Sequence, residues 1–294
     1  IGFLIGYFEV LPSRYYDLTD HITNIGLIFL LASMGAKIGV NEKILNQIDK
    51  IGLQALTISI GSIIGSIIIL KISLKIIDIE FSKDEKIEEK GEVNRSMTIM
   101  IIASVILGIL LGITIIPESL FPYIDPVTTY ALAILLLGIG IDIGLNKETL
   151  IKAKKLGLTI ILIPIAIAIG SIIGAITSGY IAGLIYNQSA AIGAGFGWYS
   201  LSGVILAEIH SVELGSIAFL SNVLRELISI LTIPIIAKYS GKIICIAPGG
   251  ATTMDVTLPI IKESAGEEIV IPAFISGVTL STLVPILVPF LINL

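Results

Sequence analysis

The sequence predicts an all-α polytopic membrane protein, with about eight transmembrane helices and two re-entrant or broken helices. Composition is the first reason, because 55% of the 294 residues are hydrophobic and 14% are charged, whereas soluble domains carry about 25% charged residues. The mean hydropathy of +1.01 agrees with this. Length is the second reason, since several apolar runs reach the roughly 20 residues that a helix needs to cross a bilayer. The third is that glycine-rich sequence interrupts two of the apolar regions.

Eight apolar runs are predicted to be spanning helices. In chain order they are Ile1–Leu11, Ile22–Val40, Ile51–Ile77, Met97–Ile116, Val127–Leu145, Leu156–Tyr180, Gly215–Ala237 and Ile269–Leu294. The first is too short to cross a bilayer at about 1.5 Å per residue, so we expect this helix to have lost a turn or more before Ile1. The interrupted segments, 190–206 and 243–261, lie on either side of the seventh span.

Charge and cysteine content exclude several kinds of site. The net charge of -5 lies mostly in the segment 78–95, which is predicted to be a solvated linker, and it gives no reason to expect a nucleic-acid partner. The single cysteine, Cys245, excludes an internal disulfide and a cysteine metal cluster. The two histidines have no partner at metal spacing. No metal site and no cofactor are therefore predicted.

Two internal repeats predict the architecture. A shift of 105 positions lays Gly65-Ser66-Ile67-Ile68 on Gly170-Ser171-Ile172-Ile173, and a shift of 55 positions lays Ala218-Phe219 on Ala273-Phe274. The first repeat holds three spans, an odd number, so its two copies must be inverted relative to each other in the membrane. Inverted repeats are typical of secondary transporters.

The predicted organisation is a scaffold followed by a core. The scaffold, residues 1–180, consists of two inverted three-helix repeats, 1–78 and 96–180, which the charged loop 78–95 joins. The core, residues 181–294, holds two broken-helix-plus-span repeats, 190–236 and 245–291. If both interrupted segments return to the face that they enter, one side of the membrane keeps only Lys43 and Lys50. The positive-inside tendency makes this the outer side of the cytoplasmic membrane, and both termini are then predicted to lie on it.

The run between the two interruptions carries charge at bilayer depth. Asn222, Arg225 and Glu226 follow each other at i, i+3 and i+4, which predicts one face of one helix. A charged residue at this depth costs roughly 2.5 kcal/mol or more, and it usually faces a substrate or proton pathway. The structural alternative is an ion pair that Arg225 and Glu226 form with each other or with a neighbouring helix.

The interruptions supply further polar groups. Asp255 lies in the second one, where a turn or a helix cap would also explain it. Together with Glu226 it makes the polar region acidic, so we predict a site for a cationic substrate, for H⁺ or for Na⁺. Aromatic rings in the first interruption would offer a face to an ammonium group or else anchor at the membrane interface. The predicted site residues are Asn222, Arg225, Glu226, Asp255, Trp198, Tyr199, Ser200, Thr252 and Thr253.

Three blocks of the sequence carry a resemblance to a known family. They are Gly195-Phe196-Gly197-Trp198-Tyr199-Ser200-Leu201-Ser202-Gly203, Arg225-Glu226-Leu227, and Gly250-Ala251-Thr252-Thr253-Met254-Asp255-Val256-Thr257-Leu258-Pro259. These blocks resemble the hallmark sequences of the LysO lysine exporter family. The resemblance implies export of L-lysine and kinship with the cation/proton antiporter and anion transporter superfamily. It also implies that Glu226 and Asp255 match the membrane-embedded acidic residues on which transport in the family depends.

We therefore predict a secondary transporter, not an enzyme, which exports L-lysine by proton antiport through alternating access. Two other functions stay open: a sodium-coupled organic anion carrier, favoured if Arg225 contacts the substrate, and a passive channel, since broken segments also build selectivity filters. An intramembrane aspartyl protease is disfavoured, because Gly138-Ile139-Gly140-Ile141-Asp142 is one residue longer than the Gly-x-Gly-Asp signature. The expected partners are the cationic amino acid and membrane lipids, and a homodimer is left open.

Overall fold

The computed structural model describes residues 2–10, 25–26, 28–29, 32–33, 36, 39–40, 42–76, 95–145 and 159–294. Within these ranges the chain is helical and contains no strand. The helices are α1 (Gly2–Tyr7), α2 (Glu42–Ile76), α3 (Arg95–Thr114), α4 (Phe121–Leu145), α5 (Thr159–Ile181), α6 (Tyr186–Gly193), α7 (Tyr199–Ile209), α8 (Val212–Ser240), α9 (Ile246–Gly249), α10 (Leu258–Ala265) and α11 (Val270–Ile292). Short 3₁₀ turns lie at Glu118–Leu120, Gly250–Met254 and Glu267–Ile269.

The helices confirm an all-α membrane protein. In the described part of the chain, four segments are long and apolar enough to cross a bilayer: Ile51–Ile76, Ile160–Ile181, Val212–Ser240 and Glu267–Ile292. Each overlaps a predicted span. Helices α3 and α4 also run over predicted spans, and α4 begins six residues earlier than predicted, with Pro126 inside it. Most of the predicted span Ile22–Val40, and residues 78–94 of the charged loop, lie outside the described residues. A total of eight spans therefore stays a prediction.

The chain packs as two compact units, Ile1–Asn46 with Asn94–Lys155, and Gln47–Val93 with Leu156–Leu294. In the first unit α1 packs along α4, and the ideal Cβ position of Gly144 lies 2.6 Å from the backbone nitrogen of Tyr7. The ideal Cβ position of Gly39 lies 3.0 Å from the Cα of Gly112. A shift of 105 positions lays Gly39 on Gly144 and Tyr7 on Gly112, so the two contacts are equivalent in the repeat.

Helices α2 and α5 of the second unit cross at Gly65 and Gly170, which are also equivalent under the shift of 105 positions. A side chain at either position would strike backbone, since the Cβ of a residue at 170 would lie 2.7 Å from the Cα of Ser66. Close approach through small residues is how helices associate in lipid, where the hydrophobic effect does not draw them together. The crossing buries Ser66 and its repeat equivalent Ser171 completely.

Both predicted interruptions are broken helices in the structure. The chain leaves helical geometry after α6, where Phe196 and Gly197 have φ values of 49° and 96°, and resumes it in α7. The second break follows α9, where Gly250 has a φ of 60° and its Cα faces the carbonyl oxygen of Phe196 so closely that a side chain would collide. Ala251 N donates a hydrogen bond of 2.8 Å to the same Phe196 oxygen. The two breaks therefore contact each other directly.

Candidate functional site

A cavity of about 150 Å³ lies beside the two breaks, within the second unit. Its wall consists of Gly197, Trp198, Tyr199, Ser200, Glu226, Ala251, Thr252, Met254, Asp255, Val256 and Ser281. Six of the nine predicted site residues are among them: Glu226, Asp255, Trp198, Tyr199, Ser200 and Thr252. The other three, Asn222, Arg225 and Thr253, are not on the wall.

Two carboxylates make the wall acidic. Glu226 projects from α8 and is 7% exposed, while Asp255 lies between α9 and α10, outside the four candidate spans. None of the described residues on the wall is a lysine, an arginine or a histidine.

Asp255 forms a hydrogen bond with the local backbone and also lines the cavity. Its Oδ1 accepts a hydrogen bond of 2.6 Å from the backbone nitrogen of Val256, so the turn explanation and the cavity position hold together. Burial raises the pKa of this carboxyl to about 6, although hydrogen bonds from the backbone of Val256 and of Asp255 itself act in the opposite direction. A carboxyl with this pKa gains and loses its proton close to neutral pH.

The aromatic pair of the first break lies on the wall. Trp198 precedes the first residue of α7 and is 36% exposed. Tyr199 is half-buried, and its ring packs edge-on against Phe219 of α8 with 5.4 Å between the ring centres. Both rings are thus placed to contact a group inside the cavity.

Asn222 and Thr253 hold the breaks in place rather than lining the cavity. The side chain of Asn222 accepts a hydrogen bond of 2.7 Å from Gly197 N and donates one of 2.9 Å to the Ala218 carbonyl. Thr253 donates from its hydroxyl to the Ala273 carbonyl of α11 at 2.8 Å. Each side chain therefore ties one break to a long helix.

Arg225 is also absent from the wall, and it is 1% exposed. Its guanidinium donates to the Pro248 carbonyl at 3.0 Å and the Ala247 carbonyl at 3.3 Å, at the second break. It also donates to the hydroxyls of Ser171 at 2.6 Å and Ser66 at 3.3 Å. Among the described residues, the hydrogen-bond partners of the Arg225 guanidinium are these carbonyls and hydroxyls, and no carboxylate is one of them. The guanidinium instead joins the α2–α5 crossing to the second break.

Five residues on the wall are not among the predicted site residues: Gly197, Ala251, Met254, Val256 and Ser281 of α11. For Ser281 and Met254 the signal was present, because the shift of 55 positions lays Glu226 on Ser281 and Tyr199 on Met254. The same shift lays Ser200 on Asp255. These three pairs of wall positions are thus related by the repeat, and two of them, Glu226 with Ser281 and Ser200 with Asp255, have an acid at one member and a serine hydroxyl at the other.

The volume of the cavity limits what it holds in this state. Since one water needs about 10–15 Å³ of space for its centre, a volume of 150 Å³ has room for several waters. Sites for organic ligands usually measure about 300 Å³ or more. The volume of the cavity in this structure is thus below that of a usual site for an organic ligand.

The comparisons with known proteins agree with one another. The profile of the family described as "Lysine exporter LysO" matches residues 1–87 and 102–292. The chain is 34% identical over 186 residues to the lysine exporter LysO of Escherichia coli (strain K12), covering 63% of this chain and 61% of that protein. It is 33% identical over 194 residues to a putative lysine exporter of Haemophilus influenzae (strain ATCC 51907 / DSM 11121 / KW20 / Rd), covering 65% of this chain and 95% of that protein. The matched part is thus about three fifths of the length of the Escherichia coli protein. No solved structure matches the chain.

Proposed function

Because the chain belongs to the lysine exporter LysO family, we propose that it is a secondary transporter which exports L-lysine or a closely related cationic amino acid across the cytoplasmic membrane. The observation that carries this proposal is the cavity between the broken helices, with Glu226 and Asp255 on its wall and no basic side chain among its described residues. An ammonium group in the cavity would lie beside these carboxylates and be attracted to their negative charge.

The two protonation states of Asp255 support proton antiport. With a pKa of about 6, its carboxyl binds either a proton or an ammonium group, and each excludes the other. A carrier whose site holds one or the other exchanges them across the membrane when the site opens alternately to the two sides.

The proposed architecture is eight spans arranged as inverted repeats, with both termini outside. Helix contacts that are equivalent under the shift of 105 positions support it. In one unit Gly65 contacts its own equivalent, Gly170, and in the other unit the Gly39–Gly112 contact is equivalent to the contact between Gly144 and Tyr7. Repeat-related residues on the cavity wall support it independently. Substrate sites at the interface of inverted repeats, formed by broken helices, are the usual arrangement in secondary transporters.

The alternative of a sodium-coupled organic anion carrier needs a cation that faces the substrate. Arg225 is the intramembrane cation on which that alternative depends, and its guanidinium is occupied by two carbonyls and two hydroxyls away from the cavity wall. The wall itself would repel an anion through Glu226 and Asp255. The geometry therefore favours a cationic substrate.

Transport by reconstituted protein tests the proposal. Vesicles loaded with radiolabelled L-lysine are diluted into lysine-free buffer, with and without an imposed pH gradient. We expect efflux that saturates with internal lysine and accelerates when the exterior is acidic. An imposed sodium gradient, arginine, ornithine and a dicarboxylate serve as comparisons. Flux that is unsaturable and indifferent to both gradients would indicate a channel, and transport of the dicarboxylate instead of lysine would indicate an anion carrier.

Lysine binding is expected to depend on pH with a midpoint near 6. Asp255 is ionised above its pKa of about 6 and neutral below it, so acid removes one of the two negative charges on the wall. Well below the midpoint the affinity should fall by about tenfold per pH unit, as for one proton that competes with the ligand. Equilibrium binding to detergent-solubilised protein between pH 5 and 8 measures this.

The matched control is Asp255→Asn, which cannot take up the proton. In this variant the binding that is left should no longer change near pH 6. A wild-type affinity that is constant from pH 5 to 8 would exclude Asp255 as the group at which proton and lysine compete.

A further inference from the structure

We infer that Ser200 and Ser281 form a hydroxyl subsite in the cavity, which binds the carboxylate of the amino acid while Glu226 and Asp255 bind its ammonium groups. This inference rests on the proposed function, because it concerns the orientation of a cationic amino acid in the same site. It assigns a role to two residues on the wall, one of which, Ser281, the sequence analysis did not identify.

The carboxylate of the substrate needs hydrogen-bond donors and must avoid the acidic side chains. The described part of the wall offers no lysine, arginine or histidine for it. Several other donors of the wall are committed to the protein: Thr252 Oγ1 donates to the Gly249 carbonyl at 2.9 Å, Gly197 N to Asn222 Oδ1 at 2.7 Å, and Ala251 N to the Phe196 carbonyl at 2.8 Å. Donors that are free, or bound only weakly, have to be found among the remaining side chains.

Ser281 directs its hydroxyl differently from three other buried serines of the long helices. Ser66, Ser178 and Ser229 each donate to the carbonyl four residues earlier, at 2.8, 2.7 and 2.6 Å. Ser281 donates instead to the thioether sulfur of Met254, at 3.3 Å. A thioether is a weak acceptor, so a carboxylate oxygen that replaces it gives a stronger hydrogen bond.

Ser200 is exposed on the cavity side of α7, and its hydroxyl has no hydrogen bond to any residue that the structure describes. It is thus available to a ligand without the loss of an existing contact. A hydroxyl that already bonds to the protein would give up that bond first.

The repeat explains why hydroxyls and acids share one cavity. Ser281 is the counterpart of Glu226, and Ser200 is the counterpart of Asp255, under the shift of 55 positions. Each copy of the repeat thus contributes one acid and one hydroxyl, at exchanged positions. The wall thus offers carboxylates for the ammonium groups of an amino acid and hydroxyl donors for its carboxylate.

The test compares L-lysine with two probes that keep both ammonium groups but lack the carboxylate, L-lysinamide and 1,5-diaminopentane. Ser200→Ala and Ser281→Ala should each weaken L-lysine binding by about 10-fold, as expected for a hydrogen bond to a charged group. Binding of both probes should stay within about 2-fold of the wild type. Ser281→Thr keeps the hydroxyl and should bind L-lysine like the wild type. Ser229→Ala, a buried serine outside the cavity wall, is the control and should affect all three compounds equally.

The outcomes separate this inference from the proposed function. If the wild type binds neither L-lysine nor the probes, the proposed function fails and the inference fails with it. If the wild type binds L-lysine but the serine variants retain full affinity, or weaken all three compounds alike, the hydroxyl subsite is excluded and the proposed function stands.

Discussion

Replacing Asp255 with Asn or Glu226 with Gln is expected to lower L-lysine efflux by roughly 30-fold or more. Both changes keep the shape of the side chain and remove only its charge. Loss of one partner from a buried charge pair costs roughly 2–5 kcal/mol, and each 1.4 kcal/mol corresponds to about tenfold. Efflux from lysine-loaded vesicles that contain equal amounts of reconstituted protein measures the effect.

The isosteric control is Glu213→Gln, in the first turn of the same helix as Glu226 but exposed and away from the cavity wall. It should transport at the wild-type rate. Asn at position 255 can still accept the hydrogen bond from Val256 N, so the melting temperature of Asp255→Asn should stay close to that of the wild type. Wild-type efflux by both cavity variants would remove these carboxylates from the mechanism.

The breaks and the acidic cavity could be predicted from the sequence. Glycine-rich segments inside long apolar regions are informative, because broken backbone in a membrane must be buried in protein or line a polar cavity. The structure places positive φ values at Phe196, Gly197 and Gly250, within the two predicted interruptions. Asp255 lies in the second of these segments, and the cavity that it lines lies beside the two breaks.

The spacing of Asn222, Arg225 and Glu226 could not predict that their side chains have different partners. They share one side of α8, yet neighbouring residues on a helix point about 100° apart, because a turn takes 3.6 residues. The side chain of Glu226 therefore points into the cavity, whereas that of Arg225 points to the crossing of α2 and α5. The partners of Arg225 include Ser66, which is 159 residues away in sequence, and no local pattern indicates such a contact.

Arg225→Met is expected to destabilise the protein by roughly 2–6 kcal/mol, at about 1–3 kcal/mol for each of the two buried carbonyls that lose a donor. The change leaves two carbonyls of the second break, those of Ala247 and Pro248, without their donor. It also removes the hydrogen bonds that the guanidinium donates to the hydroxyl oxygens of Ser66 and Ser171, where α2 and α5 cross. We therefore expect little folded protein after purification, which size-exclusion chromatography and thermal melting measure.

Arg225→Lys separates a structural role from substrate contact, because it keeps the charge but lacks the planar fork that reaches four acceptors. Its melting temperature should fall by about 4–8 °C, which corresponds to roughly 2 kcal/mol. The folded fraction should still transport L-lysine with a KM within about 2-fold of the wild type, since the guanidinium is not on the cavity wall. Lys238→Met, which removes a cation from the last turn of the same helix, should leave stability within about 0.5 kcal/mol. A stable Arg225→Lys protein with a strongly raised KM would instead place this residue at the substrate and revive the anion carrier.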